Sequence, residues 1–437
     1  MTTDQFKSRR NYIQEEIGDG VAIIFNAQEV TRNNDCNFKF RSDSYFHYTS
    51  NFPEPCSVLF IVGGETPKSI LFCRTKNVEL ETWEGFMYGP DFAKEKFGFD
   101  EAYSIDQIDE LAPNIIAKFK KVYTTLSINQ NSNKKIQSWI KINKKQKRSG
   151  IRSPEMIVDL SYLLDSMRVV KSKEEISLMK KSADIAAKAH LLAMQKTRPG
   201  LYEYQIEGEI LNQFMQLGGK DPAYHSIVAG GINACTLHYT ANSDQLKNGD
   251  LLLIDAGCEF NLYASDITRT YPINGKFSEQ QKLIYTLVLD AQKAAIAKVI
   301  PGNSFDMPHK AALNILAQGL IDLDFCQGSL EQVIEEKRYQ EFFMHRTSHW
   351  LGLDVHDVGD YVNENDQPIA LACGNVLTIE PGLYISPSKS VPKEFWGIGI
   401  RIEDDVAVTR DGNNVLSSDA PKEISDLESL VGSSIEK

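Results

Sequence analysis

The sequence predicts an α/β (α+β) protein of two domains: a smaller mixed N-terminal domain over residues 1–172, and a larger one over residues 173–437 built from a duplicated helix–helix–strands unit. Three observations predict it. The length of 437 residues is two to three times the roughly 150 residues of an average domain. Short, β-branched apolar runs punctuated by glycine and proline mark the first part as mixed α/β. In the second part Pro199-Gly200 recurs 102 residues later as Pro301-Gly302, and at the same offset Ala193 matches Ala295, Lys196 matches Lys298 and Leu211-Asn212 matches Leu313-Asn314. These identities fall on the same succession of elements, the signature of an internal repeat.

The elements follow in order. Val21-Ala-Ile-Ile-Phe25, Ser57-Val-Leu-Phe-Ile-Val62 and Ser69-Ile-Leu-Phe-Cys73 have strand length and strand composition, and Gly63-Gly64 with Pro67 turns the last two into a hairpin. The stretch 134–148 holds seven Lys/Arg in 15 residues and reads as a solvated helix face or loop. Ser172 and Glu175 form an S-x-x-E capping box ahead of an amphipathic run through Ile176, Met179, Ile185, Ala186 and Leu192, and the domain boundary is placed there. Each Pro-Gly pair ends one helix and precedes another (204–217 and 311–323), and strand-like, glycine-rich sequence follows both. Two such halves would pack their sheets together with helices outside and a cleft between. The polar tail after Ser417 reads as a frayed terminus.

Composition excludes several classes. With 42% apolar and 24% charged residues the chain is globular. Its 47 basic and 59 acidic residues give a net charge of −12, unsuited to nucleic acid or an anionic membrane. No apolar run reaches the ~20 residues of a spanning helix, and residues 1–10 have no secretory apolar core, so the expected location is cytoplasmic. The seven cysteines are scattered without a C-x-x-C, as buried reduced thiols are.

Five residues carry the chemistry. Asp255 and Asp266 flank a turn, and a hairpin symmetric about Phe260/Asn261 would make them cross-strand partners. Two carboxylates so close repel unless a cation lies between them. His345, His349 and His356 cluster within 12 residues, although the H-E-x-x-H zincin motif is absent because Arg346 follows His345. Glu380 ends an apolar run before Pro-Gly. Glu403 shares one face of a strand with Arg401, opposite Ile398, Ile400 and Ile402, and such a charged pair needs a partner or a metal. Together Asp255, Asp266, His349, Glu380 and Glu403 make an oxygen-rich set that suits two hard divalent ions, Mn²⁺- or Co²⁺-like rather than structural Zn²⁺.

These residues, in Leu-Ile-Asp255-Ala-Gly, Ser-Asp266-Ile-Thr-Arg-Thr, Ser-His349-Trp-Leu-Gly-Leu-Asp-Val-His356-Asp, Thr-Ile-Glu380-Pro-Gly-Leu-Tyr and Gly-Ile-Arg401-Ile-Glu403-Asp-Asp, resemble the five-ligand pattern of the aminopeptidase P (Xaa-Pro aminopeptidase) family of pita-bread metallopeptidases. Thr31-Arg-Asn-Asn-Asp35, Phe40 to Thr49, Phe52-Pro-Glu-Pro55 and Met167 to Glu175 resemble that family's N-terminal domain and junction. The resemblance implies a pita-bread catalytic domain with pseudo-twofold halves and two metal ions, Mn²⁺ by preference. It also implies release of the N-terminal residue from peptides with proline second, through attack of a metal-bridging hydroxide. It assigns Glu380 proton transfer as well as ligation, and gives His238 and His356 hydrogen bonds to the tetrahedral intermediate and the substrate backbone. Tyr224, His345 and Arg401 would shape the proline pocket or steady the ligands, and Trp83 would reach a neighbouring subunit's site in a homo-oligomer (dimer or tetramer). Arg346 departs from the family, many members of which carry glycine there. The rival reading within the same fold is prolidase, which cuts only Xaa-Pro dipeptides. A relative that has lost catalysis and a thiol enzyme built on Cys235 or Cys258 are the readings from other classes.

Overall fold

The computed structural model describes residues 1–126 and 130–434. The chain divides into two compact units, Met1–Ser166 and Met167–Lys437, a division six residues ahead of the boundary expected at 172.

The N-terminal unit is built on a six-stranded mixed sheet, in the order Glu101–Ser104, Lys68–Cys73, Val58–Val62, Gly20–Phe25, Lys121–Thr124, Met156–Asp159. The hairpin of Val58–Val62 and Lys68–Cys73 is antiparallel, as its Gly-Gly and proline punctuation requires. The basic stretch lies on the helix Gln130–Lys145, which buries Ile136, Trp139 and Ile140 against this sheet and leaves its lysines outside.

The second unit shows the duplication directly. In the first half the helices Lys173–Lys196 and Glu203–Gln216 precede a sheet of Ile227–Gly230, Leu251–Asp255 and Thr268–Pro272. In the second half the helices Glu279–Ile296 and Met307–Asp322 precede a sheet of Val376–Ile379, Asp404–Val408 and Asn413–Val415. The leading helix of each half starts with a capping box, Ser172 with Glu175 and Ser278 with Gln281, so both N-termini satisfy their orphan amides in the same way. Small residues on the first helix (Ala183, Ala186, Ala189, Ala193) let it lie close on the strands, and one apolar core runs through both halves.

The tail departs from expectation. It continues from Ser417 into a helix, Ile424–Leu430, with Leu427 buried, while residues 435–437 lie outside the described residues. Its polar groups serve buried charges: the carbonyls of Ala420 and Pro421 accept from Arg269, and Lys422 Nζ donates to Asp404. Polar composition reads as solvent-exposed when its partners are distant in sequence. Among the described residues no helix is long and apolar enough to cross a membrane.

Candidate metal centre

Asp255 closes the buried strand Leu251–Asp255, but its partner across the ladder is Thr268 rather than Asp266. The hairpin turns at Asn261 and Leu262, both with positive φ (51° and 66°), and Phe260 pairs with Tyr263. A two-residue turn of this kind matches the strand twist. Its centre lies one residue beyond the symmetric position at Phe260/Asn261, so every partner shifts by two and Asp266 becomes a diagonal neighbour of Asp255. A Cβ on Gly257 would stand 1.7 Å from the Ser265 carbonyl oxygen, so only glycine permits the close approach that brings both carboxylates together. The half-buried Tyr224 hydroxyl lies between them, 2.5 Å from Asp255 Oδ1 and hydrogen-bonded to Asp266 as well.

Glu380 and Glu403 occupy equivalent breaks in the second half. Glu380 and Pro381 separate the strands Val376–Ile379 and Gly382–Ile385, while Ile402 and Glu403 separate Ile398–Arg401 from Asp404–Val408. Ile379 pairs with Asp404 and Gly382 with Arg401, and the same register carried through the break sets Glu380 opposite Glu403. Glu403 accepts from the Thr268 hydroxyl at 2.6 Å, and its amide donates to the Thr268 carbonyl at 3.1 Å, joining the two halves at the carboxylate cluster. His349 bonds through Nδ1 to the Trp350 carbonyl at 2.9 Å, which directs Nε2 toward Asp266 (3.5 Å) and Glu380 (3.8 Å).

Asp266, His349 and Glu403 each offer a ligand atom within 4.8 Å of the other two. Burial, then mutual repulsion, raises the carboxyls: Asp266 upward, Glu380 to about 7, and Glu403 well above the usual carboxylate range. Burial opposes a charged His349, yet Asp266 and Glu380 outweigh it and lift the ring to about 9. Four carboxylates and one imidazole converging in a buried site, where like charges repel, fit divalent metal ions of hard character.

The cluster forms the floor of a cavity of about 860 Å³. Tyr224, His238, Asp255, Asp266, His345, His349, His356, Glu380, Arg401 and Glu403 all line it. His356 meets His349 edge-to-face at 4.5 Å between ring centroids. His345 bonds to Tyr384 through Nε2 (2.8 Å), stands 3.7 Å from Glu380, and burial and Arg401 lower it to about 4. Arg401 gives Nη2 to Asp255 (2.5 Å), Nη1 to Tyr384 (2.9 Å) and Nε to Thr268 (3.2 Å). Trp83 is the exception: it sits on the helix Val78–Glu84 of the N-terminal unit, 86% exposed, and does not line this cavity.

Sequence reasoning missed the supports behind the candidate ligands. Asp405 accepts the Asp266 amide through both carboxylate oxygens (3.1 and 3.2 Å). Asp404 collects Arg269, Gln292, Ser417 and Lys422, and Arg269 Nη1 in turn holds the Glu403 carbonyl at 2.6 Å. Three consecutive acids, Glu403-Asp-Asp405, ahead of an apolar run were the available signal. A second ion cluster, Arg168 and Lys171 on Asp357, anchors the segment that carries His356.

A fold of duplicated halves whose sheets meet at a carboxylate–histidine cluster defines a metal-dependent hydrolase, and the comparisons agree. Residues 177–410 match the model of metallopeptidase family M24, and residues 6–123 match that of the aminopeptidase P N-terminal domain. The chain belongs to metallopeptidase family M24. It is 43% identical to a Xaa-Pro aminopeptidase of Haemophilus influenzae, covering 98% of this chain and 97% of that protein. It is 38% identical to a Xaa-Pro aminopeptidase of Escherichia coli, over 99% and 98%. The structure of Pseudomonas aeruginosa aminopeptidase PepP superposes with a TM-score of 0.97 at 41% identity, covering 99% of this chain and 98% of that one.

Proposed function

We propose that this chain is a Xaa-Pro aminopeptidase, releasing the N-terminal residue from peptides with proline in the second position. The observation that carries the reading is the five-donor cluster on the floor of one cavity, in a chain that matches Xaa-Pro aminopeptidases from end to end. Asp255, Asp266, His349, Glu380 and Glu403 would hold two divalent ions, Mn²⁺ by preference, whose charge four carboxylates balance. When bound, the ions polarise the scissile carbonyl and acidify the attacking water.

The remaining work falls to the chain's own residues. Asp255, held by Tyr224 and Arg401, receives the substrate's free amine, which restricts cleavage to the first residue. Glu380 accepts a proton from the attacking water at a carboxylate oxygen and returns it to the departing proline nitrogen. His238 and His356 donate to the oxyanion and the substrate backbone. Tyr224, Arg401 and His345 fix the walls against which the proline ring rests. Proline has no N–H and a fixed φ, so strand-like subsites cannot hold it and a shaped pocket is needed.

The domains over residues 1–172 and 173–437, work in the cytoplasm and assembly as a homo-oligomer belong to the same reading. The cytoplasmic assignment is supported by seven cysteines that are all unpaired. Assembly with Trp83 at a neighbouring subunit's site is supported by the exposure of Trp83 beside Val78, Leu80 and Phe86.

The test uses Ala-Pro and Ala-Pro-Ala-Ala with protein that has been chelated and then reloaded with Mn²⁺. Release of alanine from the tetrapeptide, lost on chelation and absent in Asp266→Ala, is expected. Cleavage confined to the dipeptide would establish prolidase instead, and activity that survives chelation would end the metal reading.

A further inference from the structure

The cavity wall holds two guanidinium groups in different circumstances. Arg401 is fully engaged with Asp255, Tyr384 and Thr268. Arg346 lines the same cavity and is exposed to it, and among the described residues its side chain has no hydrogen-bond or ion-pair partner. Its backbone is nevertheless fixed from the reaction centre. The Arg346 carbonyl accepts from His345 Nδ1 at 2.7 Å. The next residue, Thr347, is fully buried, accepts the Glu380 amide on its carbonyl at 2.8 Å, and bonds through its hydroxyl to His309 Nδ1 at 2.8 Å.

Among the described residues, the acidic groups that line the cavity with Arg346 are engaged elsewhere. Asp306, on the same wall, is already bonded to Lys310 (2.5 Å) and to the Ser304 hydroxyl (2.6 Å). His309 is neutral at pH 7, since burial first and Arg346 second lower it to about 4. The acidic groups of the floor belong to the ligand cluster. A peptide entering amine-first would place its N-terminus at that cluster, so the chain beyond the proline would lead back out of the cavity, whose lining includes the exposed Arg346. A guanidinium is shaped to take a carboxylate through two parallel hydrogen bonds.

We propose that Arg346 is a specificity-determining residue that binds a carboxylate on the part of the peptide that follows the proline. The inference rests on the Xaa-Pro aminopeptidase reading. The carboxylate has two sources, the C-terminus of a short peptide or an Asp/Glu side chain of a longer one, and two substrate pairs separate them. Mn²⁺-loaded enzyme is assayed on Ala-Pro-Ala against Ala-Pro-Ala-amide, and on Ala-Pro-Ala-Glu-amide against Ala-Pro-Ala-Gln-amide.

The wild type is expected to favour the charged member of at least one pair by about 5-fold in kcat/KM, mainly through KM, as for one ion pair open to solvent. The pair that shows the preference names the source. Arg346→Ala should bring that ratio close to one, and Arg346→Glu should invert it. A ratio that is the same in wild type, Arg346→Ala and Arg346→Glu, or a wild type that favours neither charged peptide, overturns the inference while the aminopeptidase reading stands. Failure of the wild type to cut any of the four peptides overturns that reading, and the inference with it.

Discussion

Asp404 offers the sharpest test of how the strands that carry the candidate ligands are held. The substitution Asp404→Asn keeps the side chain's shape but removes its charge. The carboxylate is fully buried and accepts from Arg269 Nη2 (2.7 Å), Gln292 Nε2 (2.6 Å), Ser417 Oγ (2.7 Å) and Lys422 Nζ (2.5 Å). Burial alone would raise its pKa, but Arg269 and then Lys422 outweigh that and hold it at about 2. Against an unfolded value of about 3.9, linkage gives a contribution of roughly 2–3 kcal/mol at neutral pH. Breaking a buried pair by removing one partner costs about 3–5 kcal/mol. Lys422 is partly open to solvent and screened, so the lower end, about 3 kcal/mol, is expected.

The sign of the pH dependence follows. A depressed carboxyl stabilises the fold above its unfolded pKa, and that stability is lost as pH falls toward the folded value. The gap between wild type and variant is therefore full above pH 5 and about 1 kcal/mol smaller at pH 3. Urea unfolding of both proteins at pH 7 and at pH 3, followed by tryptophan fluorescence, measures it. A variant within 0.5 kcal/mol of wild type at pH 7, or a gap of the same size at pH 3, would refute the reasoning.

Two further outcomes are expected. Tyr224→Phe removes the hydroxyl between Asp255 and Asp266 and should lower Mn²⁺ affinity or kcat/KM by about 10- to 100-fold with little change in unfolding midpoint, measured by metal titration and by peptide assay. His190 is fully buried with Nε2 on the Ala256 carbonyl, and burial lowers it to about 4. The unfolded chain then binds the extra proton below about pH 6.5, so stability is full above that value and falls as pH drops toward 4, by at most about 3 kcal/mol. His190→Gln should flatten that part of the urea midpoint against pH curve, and an unchanged curve would show that other groups carry it.

Much of the fold was written locally. Ser172 with Glu175, Ser278 with Gln281 and the Pro-Gly pairs punctuate helices through contacts within a few residues, so their signals survive in the bare sequence. The five proposed ligands were legible for a related reason: a carboxylate or an imidazole in an apolar or glycine-flanked run is costly to bury and stands out. The hairpin register was not legible. A two-residue shift leaves the alternation of inward and outward side chains unchanged, and only the turn at Asn261 and Leu262 selects the partners.

Residue types, helix limits, the repeat and the donor set were determined by the sequence itself, because each depends on propensity, capping or the cost of burying charge. Convergence was decided by the tertiary structure. It brings the Thr268 hydroxyl to Glu403, 135 positions away, ties Arg269 to the tail through Ala420 and Pro421, and sets Arg346 on the cavity wall. Such contacts form only when two duplicated halves close on each other, and no periodicity within either half encodes their distance.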